Sequence, residues 1–112
     1  MTHGETCLLR IYVGGNERQR GKPLYETIVQ TARALNLAGA SVFPVEMSFG
    51  AGQHIHDALS EYAFTELPLV VEIVEAGDRV EALLVELGEL LNSALVTVEP
   101  AKIVGHSRKE GP

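Results

Sequence analysis

The chain has 112 residues, 46% of them apolar and 21% charged, and a formal net charge of −6. That length and balance fit one small globular domain and exclude wholesale disorder or a fibrous fold. The acidic total argues against a protein that coats nucleic acid, which needs a dominant basic face.

In chain order, residues 7–13 alternate Cys7, Leu9, Ile11 and Val13 against Leu8, Arg10 and Tyr12, the period of a half-buried strand. The single cysteine, Cys7, cannot form an intrachain disulfide; within this apolar run it reads as a small buried hydrophobe in a reducing compartment. The N-terminus MTHGETC lacks the charged start and apolar core of a secretory signal, and no apolar stretch reaches membrane-spanning length, so a cytoplasmic protein is expected. Gly14-Gly15-Asn16 ends the strand. Gly21-Lys22-Pro23 then introduces a helix with Pro23 at its first position; Leu24, Ile28, Ala32 and Leu35 extend it over residues 23–35, with Asn36 and Gly39 as stop signals.

A second strand is predicted across residues 42–49, where Phe43, Val45, Met47 and Phe49 alternate with Val42, Pro44, Glu46 and Ser48. Pro44 cannot donate to a ladder, which places it at an open edge or a bulge. Alternation is lost over residues 50–66, although residues 56–64 are compatible with a short helix, and so long a connection in a small domain is usually functional or mobile. Residues 69–74 form the clearest strand. Asp78 is the expected N-cap of a second helix whose apolar stripe is Val80, Leu83, Leu84, Leu87, Leu90 and Leu91. Asn92-Ser93 ends it, and residues 95–98 with Ile103-Val104 read as a last strand interrupted at Pro100. The basic tail from Gly105 and the N-terminus are expected to be flexible, leaving a single domain with its core over about residues 7–104.

This order is that of an α+β ferredoxin-like βαββαβ sandwich, an antiparallel sheet with two helices on one face. Its other face and two sheet edges need cover, which oligomerisation supplies.

Three groups of residues bear on chemistry. Gly50-Ala51-Gly52 lacks the lysine and Ser/Thr of a Walker A loop; its glycines let the chain leave a strand and allow close backbone approach to a ligand. His54 and His56 point the same way in an extended segment and could share a metal, but no third ligand accompanies them, and solvated loop histidines are the simpler reading. Arg18, Arg20 and Lys22 precede the first helix, whose N-terminus favours an anion, while Lys102, His106, Arg108 and Lys109 form a second basic cluster; a solvated turn and a flexible tail are the alternatives. Glu72, Glu75, Glu81, Glu86 and Glu89 read as solvated faces, and no set of nucleophile, base and orienting group can be assembled. No enzyme is expected.

Several phrases occur together: Leu9-Arg10-Ile11-Tyr12-Val13-Gly14, Gly21-Lys22-Pro23-Leu24-Tyr25-Glu26, Leu37-Ala38-Gly39-Ala40-Ser41-Val42, Phe49-Gly50, Ile55-His56, Leu67-Pro68 and Leu95-Val96-Thr97-Val98-Glu99. Through them the chain resembles, from about residue 8 to 104, the bacterial and archaeal family known as domain of unknown function 190, grouped with PII-like signalling proteins. The resemblance implies a PII-like homotrimer without established catalysis that binds nucleotides in clefts between subunits and signals through a mobile loop, here residues 50–66. Candidate nucleotide- or anion-binding residues are then Phe49, Gly50 and Gly52 at the loop root, Arg18, Arg20 and Lys22, and Lys102, Arg108 and Lys109 after the last strand. The implied effector is an adenine nucleotide (ATP, ADP, AMP or cyclic AMP) or a similar anion, with no cofactor required. Gln53, His54 and His56 form the effector loop. Family members encoded beside or fused to fluoride-channel proteins make a membrane transporter or channel the candidate partner. The chain departs from the family pattern at Pro44-Val45 and at Thr65-Glu66-Leu67-Pro68, on both sides of the loop. The competing expectation is a trimeric metal-binding or protein-interaction module using His54 and His56, with no nucleotide.

Overall fold

The computed structural model of the chain describes residues 5–45, 47–49, 55–57 and 67–105. Its strands and helices are β1 (Thr6–Gly14), β2 (Arg18–Gln19), β3 (Lys22–Pro23), α1 (Leu24–Ala34), β4 (Ser41–Pro44), β5 (Met47–Phe49), β6 (Ile55–Asp57), β7 (Pro68–Ala76), α2 (Gly77–Leu87) and β8 (Leu95–Pro100), with a 3-10 turn at Gly88–Leu91. The main sheet has the order β4-β7-β1-β8, all pairs antiparallel, as expected for the ferredoxin-like arrangement. Two small ribbons, β2-β3 and β5-β6, stand apart from it.

The alternation in β1 is realised as predicted. Cys7, Leu9, Ile11 and Val13 are buried, and with Leu69, Val71 and Ile73 of β7 they form the sheet side of the core. Leu24, Ile28 and Ala32 of α1 and Val80, Leu83 and Leu87 of α2 close over the same face. The largest of these side chains are wholly removed from water, and each stabilises the fold by roughly 1.5–3 kcal/mol before its conformational entropy is charged against it.

Element boundaries depart from expectation where tertiary hydrogen bonds override local pattern. Pro23 is the N-cap of α1 rather than its first residue, because pairing with Arg18 holds it extended (φ −56°, ψ 135°). The helix ends as its Asn36 stop signal suggested: Asn36 takes φ +63°, and the amides of Asn36 and Leu37 donate to the carbonyls of Arg33 and Ala32, a Schellman arrangement. Arg79 of α2 adds two donations to the carbonyls of Leu35 and Asn36, placing a cation at the negative end of α1. Asp78 is not an N-cap. Strand β7 runs straight into α2, Ala76 is the cap residue, and Asp78 lies in the first turn. The apolar stripe of α2 is broken at Gly88, whose φ of +51° and ψ of −124° suit glycine alone, so Leu90 and Leu91 belong to the 3-10 turn.

The predicted second strand is two pieces. Val45 N–H donates to the Pro68 carbonyl (2.9 Å), one step beyond the Pro44–Leu69 pair, after which β5 pairs with β6 instead of the main sheet. Pro44 does sit on an edge strand, but Val42 rather than Phe43 turns to the core; Phe43 is exposed on the opposite face. The helix expected at residues 56–64 is displaced at its start by β6, and its remainder lies outside the described residues. The last strand runs through Glu99 to Pro100 without including Ile103 and Val104.

Ile11→Ala empties a position with no solvent exposure and is expected to lower the free energy of unfolding by about 2–5 kcal/mol. Val85→Ala, at a position 77% exposed, should stay within about 0.5 kcal/mol of the parent. Urea unfolding at one fixed protein concentration measures both.

Candidate functional site

One end of the sandwich gathers the carboxyl end of β1, the amino end of α1, the start of β8 and the neck of the β4–β7 connection. The chain leaves β1 through Gly14-Gly15 and enters a two-stranded hairpin in which Arg18 pairs with Pro23 and Gln19 with Lys22. Its turn is Arg20-Gly21, with φ of +55° and +79°, the signs of a type I′ turn. Glycine adopts this geometry readily, whereas arginine does so at a cost. All three predicted cations here, Arg18, Arg20 and Lys22, are exposed, and Lys22 Nζ donates to Gln30 Oε1 on α1 (2.6 Å).

Glu17 organises the approach to this hairpin. Its Oε1 accepts from the Gly14 amide (2.7 Å), its Oε2 from Ser93 Oγ (2.7 Å), and its carbonyl from the Leu24 amide at the start of α1 (2.8 Å). One residue thereby ties the β1 exit, the first helix and the segment before β8. Beside it, the Gly15 amide donates to the Leu67 carbonyl (2.8 Å), fastening the hairpin's base to the descending limb of the β4–β7 connection. The neck of that connection is closed by the Val45–Pro68 bond described above.

Between hairpin and 3-10 turn lies an open groove of about 360 Å³, lined by Glu17, Arg18, Gln19, Leu24, Glu89, Leu90, Asn92 and Ser93. Of the three hairpin cations only Arg18 lines it. Asn92 and Ser93, read from the sequence as a helix stop, line it as polar groups. Sequence reasoning misses Glu17 altogether, although a carboxylate between a glycine pair and a run of cations is its visible signal.

The second basic group is elsewhere. Lys102 is exposed at the opposite end of β1, where the Ala101 amide donates to the Thr6 carbonyl (3.0 Å), in a shallow groove shared with Glu5, Thr6, Pro100 and Ile103. Arg18 and Lys102 of one chain are therefore not brought together. Phe49 is placed only by its backbone in β5, opposite Ile55, and His56 only by its backbone in β6, opposite Ser48. Gly50, Gly52, Gln53, His54, Arg108 and Lys109 lie outside the described residues. Among the described residues no group of three His, Cys, Asp or Glu side chains is placed to hold a metal ion, and no helix is long and apolar enough to cross a membrane.

A four-stranded antiparallel sheet of order β4-β7-β1-β8 under two helices, with a long β4–β7 connection, is the PII-like fold. The chain matches CPII, a nitrogen regulatory PII-like protein from Thiomonas intermedia K12 solved with ADP, AMP and bicarbonate, at a TM-score of 0.69 over 88% of this chain and 87% of that one, with 11% identity. It matches a candidate PII-like signalling protein from Thermus thermophilus at a TM-score of 0.64 over 93% and 94% of the two chains, with 16% identity. In sequence it is 30% identical over 97 residues, 87% of this chain and 91% of the other, to the UPF0166 protein of Aquifex aeolicus (strain VF5). The domain of unknown function 190 family (DUF190, Uncharacterized ACR) matches residues 6–103, and the chain belongs to that family.

Because Arg20 occupies a left-handed position that asparagine tolerates better, Arg20→Asn is expected to raise the free energy of unfolding by about 0.5–1 kcal/mol. Urea unfolding checks this; a loss of stability would mean that the Arg20 side chain makes a compensating contact.

Proposed function

We propose that the protein is a PII-like regulatory module: a cytoplasmic homotrimer, without catalytic turnover, that binds an adenine nucleotide or similar anionic effector between its subunits. Residues 50–66 relay the bound state to a partner, for which a membrane transporter or channel is the candidate class. The observation that carries this reading is the 2.8 Å bond from Gly15 to Leu67, which couples the basic hairpin to the neck of the β4–β7 connection. A ligand that prefers one hairpin position thereby biases the neck, and the relay is a population shift whose size is set by that preference. The adenine nucleotides bound by the Thiomonas protein support the choice of effector.

The trimer draws support from the sheet face turned away from the helices. Phe43, Val70, Tyr12 and Leu95 lie in one row across the four strands, and Phe43 and Leu95 are 46% and 62% exposed. An exposed apolar row of this kind is a surface that a second subunit can cover.

Calorimetric titration with ATP, ADP, AMP and cyclic AMP tests the effector. At least one should bind, and Arg18→Ala should weaken it by about 10–100-fold, the worth of a charge-assisted hydrogen bond; no binding by any of the four removes the proposal. Light scattering tests the assembly: the parent should run at three times the chain mass, and Phe43→Asp should shift it toward the monomer. A parent that stays monomeric at tens of micromolar would overturn the trimer.

A further inference from the structure

Building on the proposed effector site, we infer that the hairpin groove selects its nucleotide by charge, favouring cyclic AMP and AMP over ADP and ATP. Among the described residues the groove holds one cation, Arg18, against two carboxylates, Glu17 and Glu89. Arg20 and Lys22 do not line it, and Lys22 already donates to Gln30. Glu17 is oriented at the groove wall, its two oxygens accepting from the Gly14 amide and Ser93 Oγ, each at 2.7 Å. Its negative charge is part of the wall.

A ligand phosphate that pairs with Arg18 therefore sits in the field of both carboxylates. The phosphodiester of cyclic AMP brings one charge, satisfied by Arg18; AMP brings nearly two, and each further phosphate adds like-charge repulsion that no other described residue of the groove offsets. Leu24 and Leu90 supply apolar wall for a base, and Asn92 supplies an amide for sugar hydroxyls.

The test is titration of the intact protein with all four nucleotides in magnesium-free buffer at low salt. Cyclic AMP and AMP should bind at least about tenfold more tightly than ATP, and the gap should narrow as ionic strength rises. Glu89→Gln should raise ATP affinity by about tenfold while moving cyclic AMP by less than about threefold; Glu17→Gln, which keeps an oxygen for the Gly14 amide, should act in the same direction. ATP binding as tightly as cyclic AMP to the parent, or both variants leaving the ratio unchanged, overturns the charge filter and leaves the effector proposal standing. Absence of binding by all four removes both.

Discussion

The pairing of β1 with β7 on one side and β8 on the other is the constraint on which the rest of the molecule depends. Nine residues of β1 face nine of β7, from Thr6 opposite Ala76 to Gly14 opposite Pro68, while Cys7 to Tyr12 face β8. Within that register Leu9 and Ile11 are wholly buried beneath the helices. A slip of one residue would turn Arg10 and Tyr12 into the core and Leu9 and Ile11 out of it, so such a slip is excluded by the cost of burying a guanidinium. The same register sets the functional end: with Gly14 opposite Pro68, the next residue's amide meets Leu67, and the chain turns with Glu17 within reach of Ser93.

The outer face of β1 carries a different device. Arg10 Nε donates to Glu72 Oε2 (3.0 Å) and its Nη1 to Glu99 Oε2 (2.9 Å), a strap across three strands amid apolar neighbours. The Glu72 hydrogen bond raises the Arg10 pKa against a lesser lowering by desolvation, and Glu99 adds to the rise, so the guanidinium stays charged throughout the working range. As an exposed strap it contributes little to stability. Its value lies in what it permits: a face whose cation is already paired within its own chain can be covered by another surface without stranding a buried charge.

How far the sequence disclosed this structure depends on the range of the interaction concerned. Alternation in residues 7–13 and 69–74 is a local record of a local constraint, the two-residue period of a strand with one dry face, and it located the core. Boundaries were less legible, because they are decided by hydrogen-bond partners outside the local pattern: Pro23 is kept extended by Arg18, and the second predicted strand divides where β5 pairs with β6 instead of continuing along β7. Least legible was the groove. Glu17 and Ser93 are 76 residues apart, and neither belongs to a motif; only the fold makes them neighbours. The cations were visible as a cluster; of the carboxylates beside Arg18, Glu89 reads from the sequence only as part of a solvated face and Glu17 was not singled out.

The two basic groups also acquire a relation that their sequence positions conceal. Arg18 follows one end of β1 and Lys102 flanks the other, and nine residues of strand span roughly 26 Å at about 3.3 Å per step, longer than an adenine nucleotide. The strand thus holds the two patches of one chain at opposite ends. If both serve one ligand through different subunits, the ligand's affinity includes part of the free energy of assembly. Linkage makes this reciprocal: an effector that bridges chains tightens the oligomer by as much as the oligomer tightens the effector. If only the hairpin end serves, the effector acts within one chain, through the Gly15–Leu67 bond, and leaves assembly unchanged. The dependence of effector affinity on protein concentration separates these two modes, and the geometry of β1 is what makes them distinct.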